Sequence, residues 1–293
     1  MTPSPWRISL HGGHSTFCDH ADDPLEDIIQ AAIAAGCPTY GIAEHAPRVE
    51  PHRLFQQELE LGWDVATLER IFTEYAETLH RLADTYADRI TILKGFEIEV
   101  VPEDSYVDLM LGYRERLGFE YMVGSVHWVG GHIIDYTPEC FQASVDACGG
   151  LEACAIRYYQ TLAQMIIDLK PEVVAHFDLM KKLAPSEESV TTPKARTAAL
   201  DALDQVRQHR LILDINTSAL RRGFATPYPA PWILEAAHDM GIDCCFGDDS
   251  HRVSEVAYGF DESRQYLLSH GINHITTLRR ETTGLGKENI PLE

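Results

Sequence analysis

The feature that most limits what this chain can become is its alternation of two kinds of segment. Short apolar, β-branched runs recur at Arg7–Leu10, Thr39–Ala43, Ile90–Phe96, Tyr121–Val126, Val173–Ala175, Leu211–Ile215, Cys244–Gly247 and His274–Thr277. Between them lie helical stretches, among them Pro24–Ala35, Val65–Ala87, Tyr106–Leu117, Glu152–Leu169, Pro193–His209 and Pro231–Met240. Thr192 and Pro193 read as an N-cap with proline in the first turn, and Gly36 and Gly241 stand where helices stop. Such alternation implies βαβ units and a largely parallel sheet. Seven or eight strands with no long linker favour a closed α/β barrel over two domains. A barrel of this type uses about 250 residues, so the 293 present are expected to form one domain, 1–293. Pro47–Trp63 and Gly130–Gly150 are the least regular parts and read as long loops over a site.

Charge narrows the function classes. The chain carries 24 Lys+Arg against 45 Asp+Glu, a formal net charge of −21. Phosphate backbones are bound mainly through Lys and Arg, so nucleic acid and anionic membrane are not expected partners. A bound cluster of metal ions would reverse the sign locally. No apolar run approaches the ~18 residues of a membrane span, and the opening Met1–Trp6 lacks a signal-peptide pattern. The seven cysteines form no CxxC pair, which fits reduced thiols and a cytoplasmic protein better than a disulfide framework.

Polar residues gather where the strands end. His11, His14 and His20 follow the first run, Glu44 and His45 the second, Glu97 the third and His127 the fourth. His176 and Asp178 follow Val173–Ala175, and Asp248, Asp249 and His251 follow Cys244–Gly247. In a parallel barrel the carboxyl ends of all strands open on one face, where active sites are built. Imidazole and carboxylate ligands suit Zn, Mn or Fe, and so many together imply more than one ion. His52, His80, His209, His238, His270 and His274 fall elsewhere and read as solvated, while His132 is left open.

These residues resemble the ordered motifs of the polymerase and histidinol phosphatase (PHP) superfamily: His14-Ser-Thr-Phe-Cys-Asp-His20, Ala43-Glu-His45, Gly95-Phe-Glu97, Gly124-Ser-Val-His127, Ala175-His-Phe-Asp178 and Asp249-Ser-His251. The Phe-Cys-Asp-His segment, Gly-Ser-Val-His and Asn216-Thr-Ser-Ala-Leu-Arg221 are most similar to its histidinol-phosphate phosphatase branch. The resemblance implies a distorted (β/α)7 barrel with three metal ions. It implies His11, His14, Glu97 and Asp249 around one ion, Glu97, His127 and His176 around a second, and His20, His45 and His251 around a third. The family's first motif is His-x-His, whose side chains share a face because strand periodicity is two. Here the spacing is His11-Gly-Gly-His14, and a bulge built on positive φ at the glycines would restore the common direction.

The chemistry these groups suit is hydrolysis of a phosphate ester by a water that bridges metal ions, with no covalent intermediate. Cys18 lies inside the metal motif and reads as packing rather than as a nucleophile. Arg221 and Lys181 are the candidate phosphate-binding cations, with Arg222 and Lys182 beside them. Glu44 and Asp249 are the candidate catalytic acids. Asp178 and Asp248 are expected to orient ligating imidazoles through the other ring nitrogen. The resemblance implies L-histidinol phosphate, a small-molecule phosphomonoester, as substrate. The residues alone also leave open a small phosphodiester or a metal-stabilised module without catalysis.

Overall fold

A computed structural model describes residues 4–293. Seven parallel strands close into a barrel in chain order: β1 (Ile8–Gly12), β2 (Thr39–His45), β3 (Thr91–Ile98), β4 (Tyr121–Gly124), β5 (Val173–Val174), β6 (Ile212–Asn216) and β7 (Asp243–Gly247). The last strand returns to the first through Ser9 and Phe246. The surrounding helices are α1 (Leu25–Ala34), α2 (Val65–Thr85), α3 (Tyr106–Leu117), α4 (Pro138–Cys148), α5 (Leu151–Leu169), α6 (Pro193–Gln208), α7 (Pro231–Asp239) and α8 (Phe260–Ser269). Their starts follow local chemistry. The Asp64 side chain accepts from Thr67 N at 2.8 Å to begin α2, and Thr192 Oγ1 accepts from Ala195 N to begin α6. Each such cap is worth about 1 kcal/mol. None of the described helices is long and apolar enough to cross a membrane.

The barrel interior is filled by side chains. Tyr121, fully buried on β4, reaches across to donate to the Leu10 carbonyl of β1 at 2.9 Å. Gly41 and Gly95 make room for it: a Cβ on either would stand within 2.4 Å of the tyrosine ring or hydroxyl. Close packing of this kind makes the barrel interior a core and not a channel.

Three expectations need correction. The run His274–Thr277 is a strand, β8 (His274–Arg280), but it stays out of the barrel and pairs antiparallel with β9 (Leu285–Pro291). This hairpin sits at the strand starts, opposite the metal motifs. Arg280 donates to the Ile92 carbonyl at 2.5 Å, and Lys287 meets Asp243 at 2.8 Å. The second correction concerns the two supposed loops. Gly130–Gly150 contains half of a small hairpin (Trp128–Val129 with His132–Ile133) and all of α4, capped by Thr137. Pro47–Trp63 contains a 3-10 turn, Pro51–Arg53, and a short helix, Gln56–Glu60. Lastly, His80 and His270 are not simply solvated. His80 is half-buried, with Nε2 2.9 Å from the Leu117 carbonyl, and His270 packs on Tyr266.

Candidate metal centre and active site

The site begins with the bulge in β1. Ser9 pairs with Tyr40 and Gly12 with Ile42, so three steps along β1 match two along β2. The extra residue turns His11 and His14 toward the same groups. Their Nε2 atoms lie 3.9 and 3.3 Å from Asp249 Oδ1. Positive φ falls on Gly13 alone, at 79°. Gly12 is needed for space, because a Cβ there would stand 2.2 Å from Asp248 Oδ1 and 2.5 Å from Tyr40 Oη.

Glu97, at the end of β3, is the centre of the cluster. Its Oε1 lies 3.1 Å from His176 Nε2, 3.5 Å from His11 Nε2 and 3.7 Å from His127 Nε2. Its Oε2 lies 2.8 Å from His45 Nδ1 and 3.8 Å from His14 Nε2. Further out, His251 and His45 each stack on His14 with ring centroids 4.2 Å apart, and His20 Nε2 is 3.2 Å from His45 Nε2. Two backbone positions beside the centre have positive φ without glycine, His176 at 21° and Asp249 at 49°. Such strain persists only where the surroundings enforce it.

Four imidazoles are braced from behind by carboxylates. His11 Nδ1 meets Asp214 Oδ2 at 2.9 Å, His14 Nδ1 meets Glu44 Oε1 at 3.3 Å, His20 Nδ1 meets Asp19 Oδ1 at 3.0 Å and His127 Nδ1 meets Glu99 Oε2 at 2.7 Å. A carboxylate there fixes the ring and leaves the opposite nitrogen free to ligate. Asp214, Asp19 and Glu99 carry this role, which the sequence reading gave to Asp178 and Asp248. Asp178 instead accepts from Ala230 N and pairs with Lys181, and Asp248 accepts from Tyr40, Ser9 and Ala257. One signal was available: an aspartate inside the apolar run Leu211–Ile215, in phase with Asn216, is out of place unless it has a partner. Glu44 is likewise not at the mouth. It is buried under His14, held by Ser15 N and His45 N, and kept below the usual carboxylate range because His14 and these donors outweigh its burial.

Protonation in the cluster follows from this packing. Burial opposes charge on His127, but Glu99 and Glu97 outweigh it and raise the ring to about 10. Burial is likewise outweighed at His14, raised to about 9 by Asp249 and Glu44, and at His11, raised by Glu97, Asp249 and Asp214. His45 falls to about 4 through burial and the neighbouring His14. Asp249 stays well below the usual range because His11, His14 and His251 overcome its burial.

The donor set fits divalent ions. Buried polar atoms are normally paired, yet His11 Nε2, His14 Nε2, His176 Nδ1 and Glu97 Oε2 are buried without a hydrogen-bond partner. Three sets of ligand atoms lie within 4.8 Å of one another: His11, His14 and Asp249; His11, Glu97 and His176; His14, His45 and His251. His127 and His20 fall outside these sets, at their edges.

Above the cluster opens a cavity of about 440 Å³. Its cations are Arg48, Lys182, Arg221, Arg222 and Arg252. Arg221 uses both terminal nitrogens on the backbone, donating to the carbonyls of Asp248 (2.5 Å) and Asp249 (2.7 Å). Lys181 is not at the cavity. Its side chain is 2% exposed and its Nζ is 2.9 Å from Asp178, whereas Lys182 does line the cavity and pairs with Asp135 at 2.6 Å. The Cys18 thiol is held well above its normal range by burial and by Glu44.

The profile of the PHP domain matches residues 10–218. A Schizosaccharomyces pombe protein named as a probable histidinol-phosphatase is 32% identical over 95% of this chain and 92% of its own. The histidinol-phosphatase of Saccharomyces cerevisiae is 28% identical over 88% of both chains. In fold, the chain matches the crystal structure of histidinol phosphate phosphatase from Lactococcus lactis, solved with zinc, L-histidinol and phosphate. That match has a TM-score of 0.69 and 18% identity, over 92% of this chain and 95% of the other. Two relatives matched along most of their length carry the names probable histidinol-phosphatase and histidinol-phosphatase, and the chain belongs to the PHP domain family.

Proposed function

We propose that the chain is a metal-dependent phosphomonoesterase that hydrolyses L-histidinol phosphate to L-histidinol and phosphate, a step of histidine biosynthesis. The observation that carries this reading is the convergence of unpaired, buried imidazole nitrogens and Glu97 beneath a cation-lined cavity. The names of the full-length relatives supply the alcohol half of the ester. Three divalent ions, Zn, Mn or Fe, would be held by His11, His14, Glu97 and Asp249, by Glu97, His127 and His176, and by His20, His45 and His251. Ions bound there supply Lewis acidity toward a phosphoryl oxygen and water that ionises near neutral pH. Asp249, held ionised, serves as a ligand. Arg221, locked by two backbone carbonyls, presents its remaining N–H groups to the phosphate. Glu44 keeps His14 in position. The whole chain acts as one domain in the cytoplasm, a reading supported by seven free cysteines.

The test is phosphate release from L-histidinol phosphate beside a small phosphodiester, with added zinc or manganese and with chelator. Fast, chelator-sensitive release from histidinol phosphate alone is the expected result. Turnover of the diester instead would keep the metal chemistry and refute the substrate.

A further inference from the structure

Tyr228 carries a feature that the ligand set does not use. The residue is fully buried and forms part of the cavity wall, with its ring edge-on to His176 at 6.4 Å. Its hydroxyl has no hydrogen-bond partner among the described residues. A buried phenol without a partner costs about 1–3 kcal/mol, so its retention in a wall of the site calls for an explanation. The hydroxyl is not left idle by looseness. Tyr228 pairs with Asn216 at the end of β6 through both backbone hydrogen bonds, each 2.9 Å. Behind the ring, Lys181 Nζ lies 4.9 Å from the centroid and is itself fixed by Asp178. Burial and Asp178 keep the phenol well above its ordinary range, so it remains a proton donor. Asp249 and Asp135, both in the cavity wall, and the exposed Arg222 also act on it electrostatically. Arg222 is the one cavity cation for which no carboxylate partner is found among the described residues.

We infer that the Tyr228 hydroxyl donates a hydrogen bond to a phosphoryl oxygen of the bound ester, on the side of the cavity flanked by Arg222. A neutral donor fixed beside the metal ligands offers the phosphate a contact with no charge to desolvate and no rotamer to freeze. The inference rests on the phosphatase reading above, and the test separates the two.

Tyr228→Phe removes only an unpaired buried hydroxyl, so a purely structural residue would give a variant as stable as the parent, or more so, and fully active. The expected result is different. In the zinc-loaded protein, Tyr228→Phe raises the Kd for inorganic phosphate about 10- to 100-fold and lowers kcat/KM for L-histidinol phosphate by a similar factor. Zinc content and melting temperature do not fall. Ser263→Ala is the matched control, since Ser263 Oγ is also buried without a partner but lies on α8, away from the cavity. Phosphate affinity and kcat/KM within about twofold of the parent would overturn the inference. So would a loss of zinc that accounts for the loss of activity. If the parent protein binds phosphate but does not turn over histidinol phosphate, the substrate reading fails, while weaker phosphate binding by Tyr228→Phe still supports the contact.

Discussion

Asp214→Asn offers the sharpest test of how the metal ligands are held. Asp214 Oδ2 lies 2.9 Å from His11 Nδ1 and accepts from Asn216 Nδ2 at the same distance. It thereby keeps the His11 proton on Nδ1 and leaves Nε2 facing Glu97 and Asp249. An asparagine keeps the shape but removes the charge that makes the imidazole a strong donor to a cation. Its amide nitrogen would also take the place of an oxygen: Oδ1, the atom of Asp214 that has no partner, becomes an unsatisfied N–H, or else Oδ2 does and the amide opposes its three existing donors, His11 Nδ1, Asn216 Nδ2 and His176 N. Loss of such a bracing carboxylate lowers metal affinity about 10- to 100-fold, or roughly 1.4–2.7 kcal/mol. Zinc affinity is read by competition with a chromophoric chelator, and the melting temperature of the metal-free protein is taken alongside. Unchanged zinc affinity with a lowered melting temperature would refute the reasoning, because Asp214 would then be a packing residue alone.

Other consequences follow from the same geometry. His127→Ala and Asp249→Asn, each removing a proposed ligand, should abolish turnover with the barrel intact by circular dichroism; near-parental activity would refute the ligand assignment. Lys181→Ala breaks a buried pair with Asp178 and should cost about 3–5 kcal/mol in denaturant unfolding, while Lys182→Ala at the cavity should act mainly on KM. Metal loading should expel protons. His14 and His127 are raised to about 9 and about 10 in the metal-free protein and His11 is raised as well, whereas ligation needs the neutral ring. Calorimetry in buffers of different ionisation enthalpy should therefore find net proton release on metal binding at pH 7, and metal affinity should fall as pH is lowered. The stability these raised histidines lend the metal-free fold is present below their unfolded value and is lost as pH rises through about 9–10. Proton release near zero would refute the protonation pattern.

The barrel was legible because its strands are short apolar runs with a polar residue at the same end. The eighth run misled because local apolarity does not say whether a strand joins a parallel barrel or an antiparallel hairpin. Its partner Leu285–Pro291 is half-buried or exposed along its length and carries Lys287, Glu288 and Asn289, so it gave no apolar signal. Helix α4 was missed because it buries only Phe141, Ser144 and Val145. The imidazoles and carboxylates that converge at the mouth were read from strand ends, but the acids that brace them were not. Asp214 and Glu99 acquire their role from imidazoles 203 and 28 residues away in the chain. The two lysines show the limit at its finest. Lys181 and Lys182 end a 3-10 turn, where successive residues diverge by about a third of a turn. One is thereby buried against Asp178 and its neighbour reaches the cavity.

Charge shows why an acidic chain can still take a phosphate ester. Over the whole sequence acids exceed bases by 21, yet in the cavity Arg48, Lys182, Arg221, Arg222 and Arg252 face Glu97, Glu99, Asp135, Asp249 and Glu255, five against five. Any divalent ion added to that balance leaves the cavity positive inside a negative surface. A small dianion that reaches the mouth is then held at short range, where water is sparse and the field is strong. Binding of a polynucleotide depends on many phosphates meeting a broad basic surface, which a net charge of −21 opposes. The same distribution favours a monoester whose remainder is small, because a cavity of about 440 Å³ holds one phosphate and little more beside it.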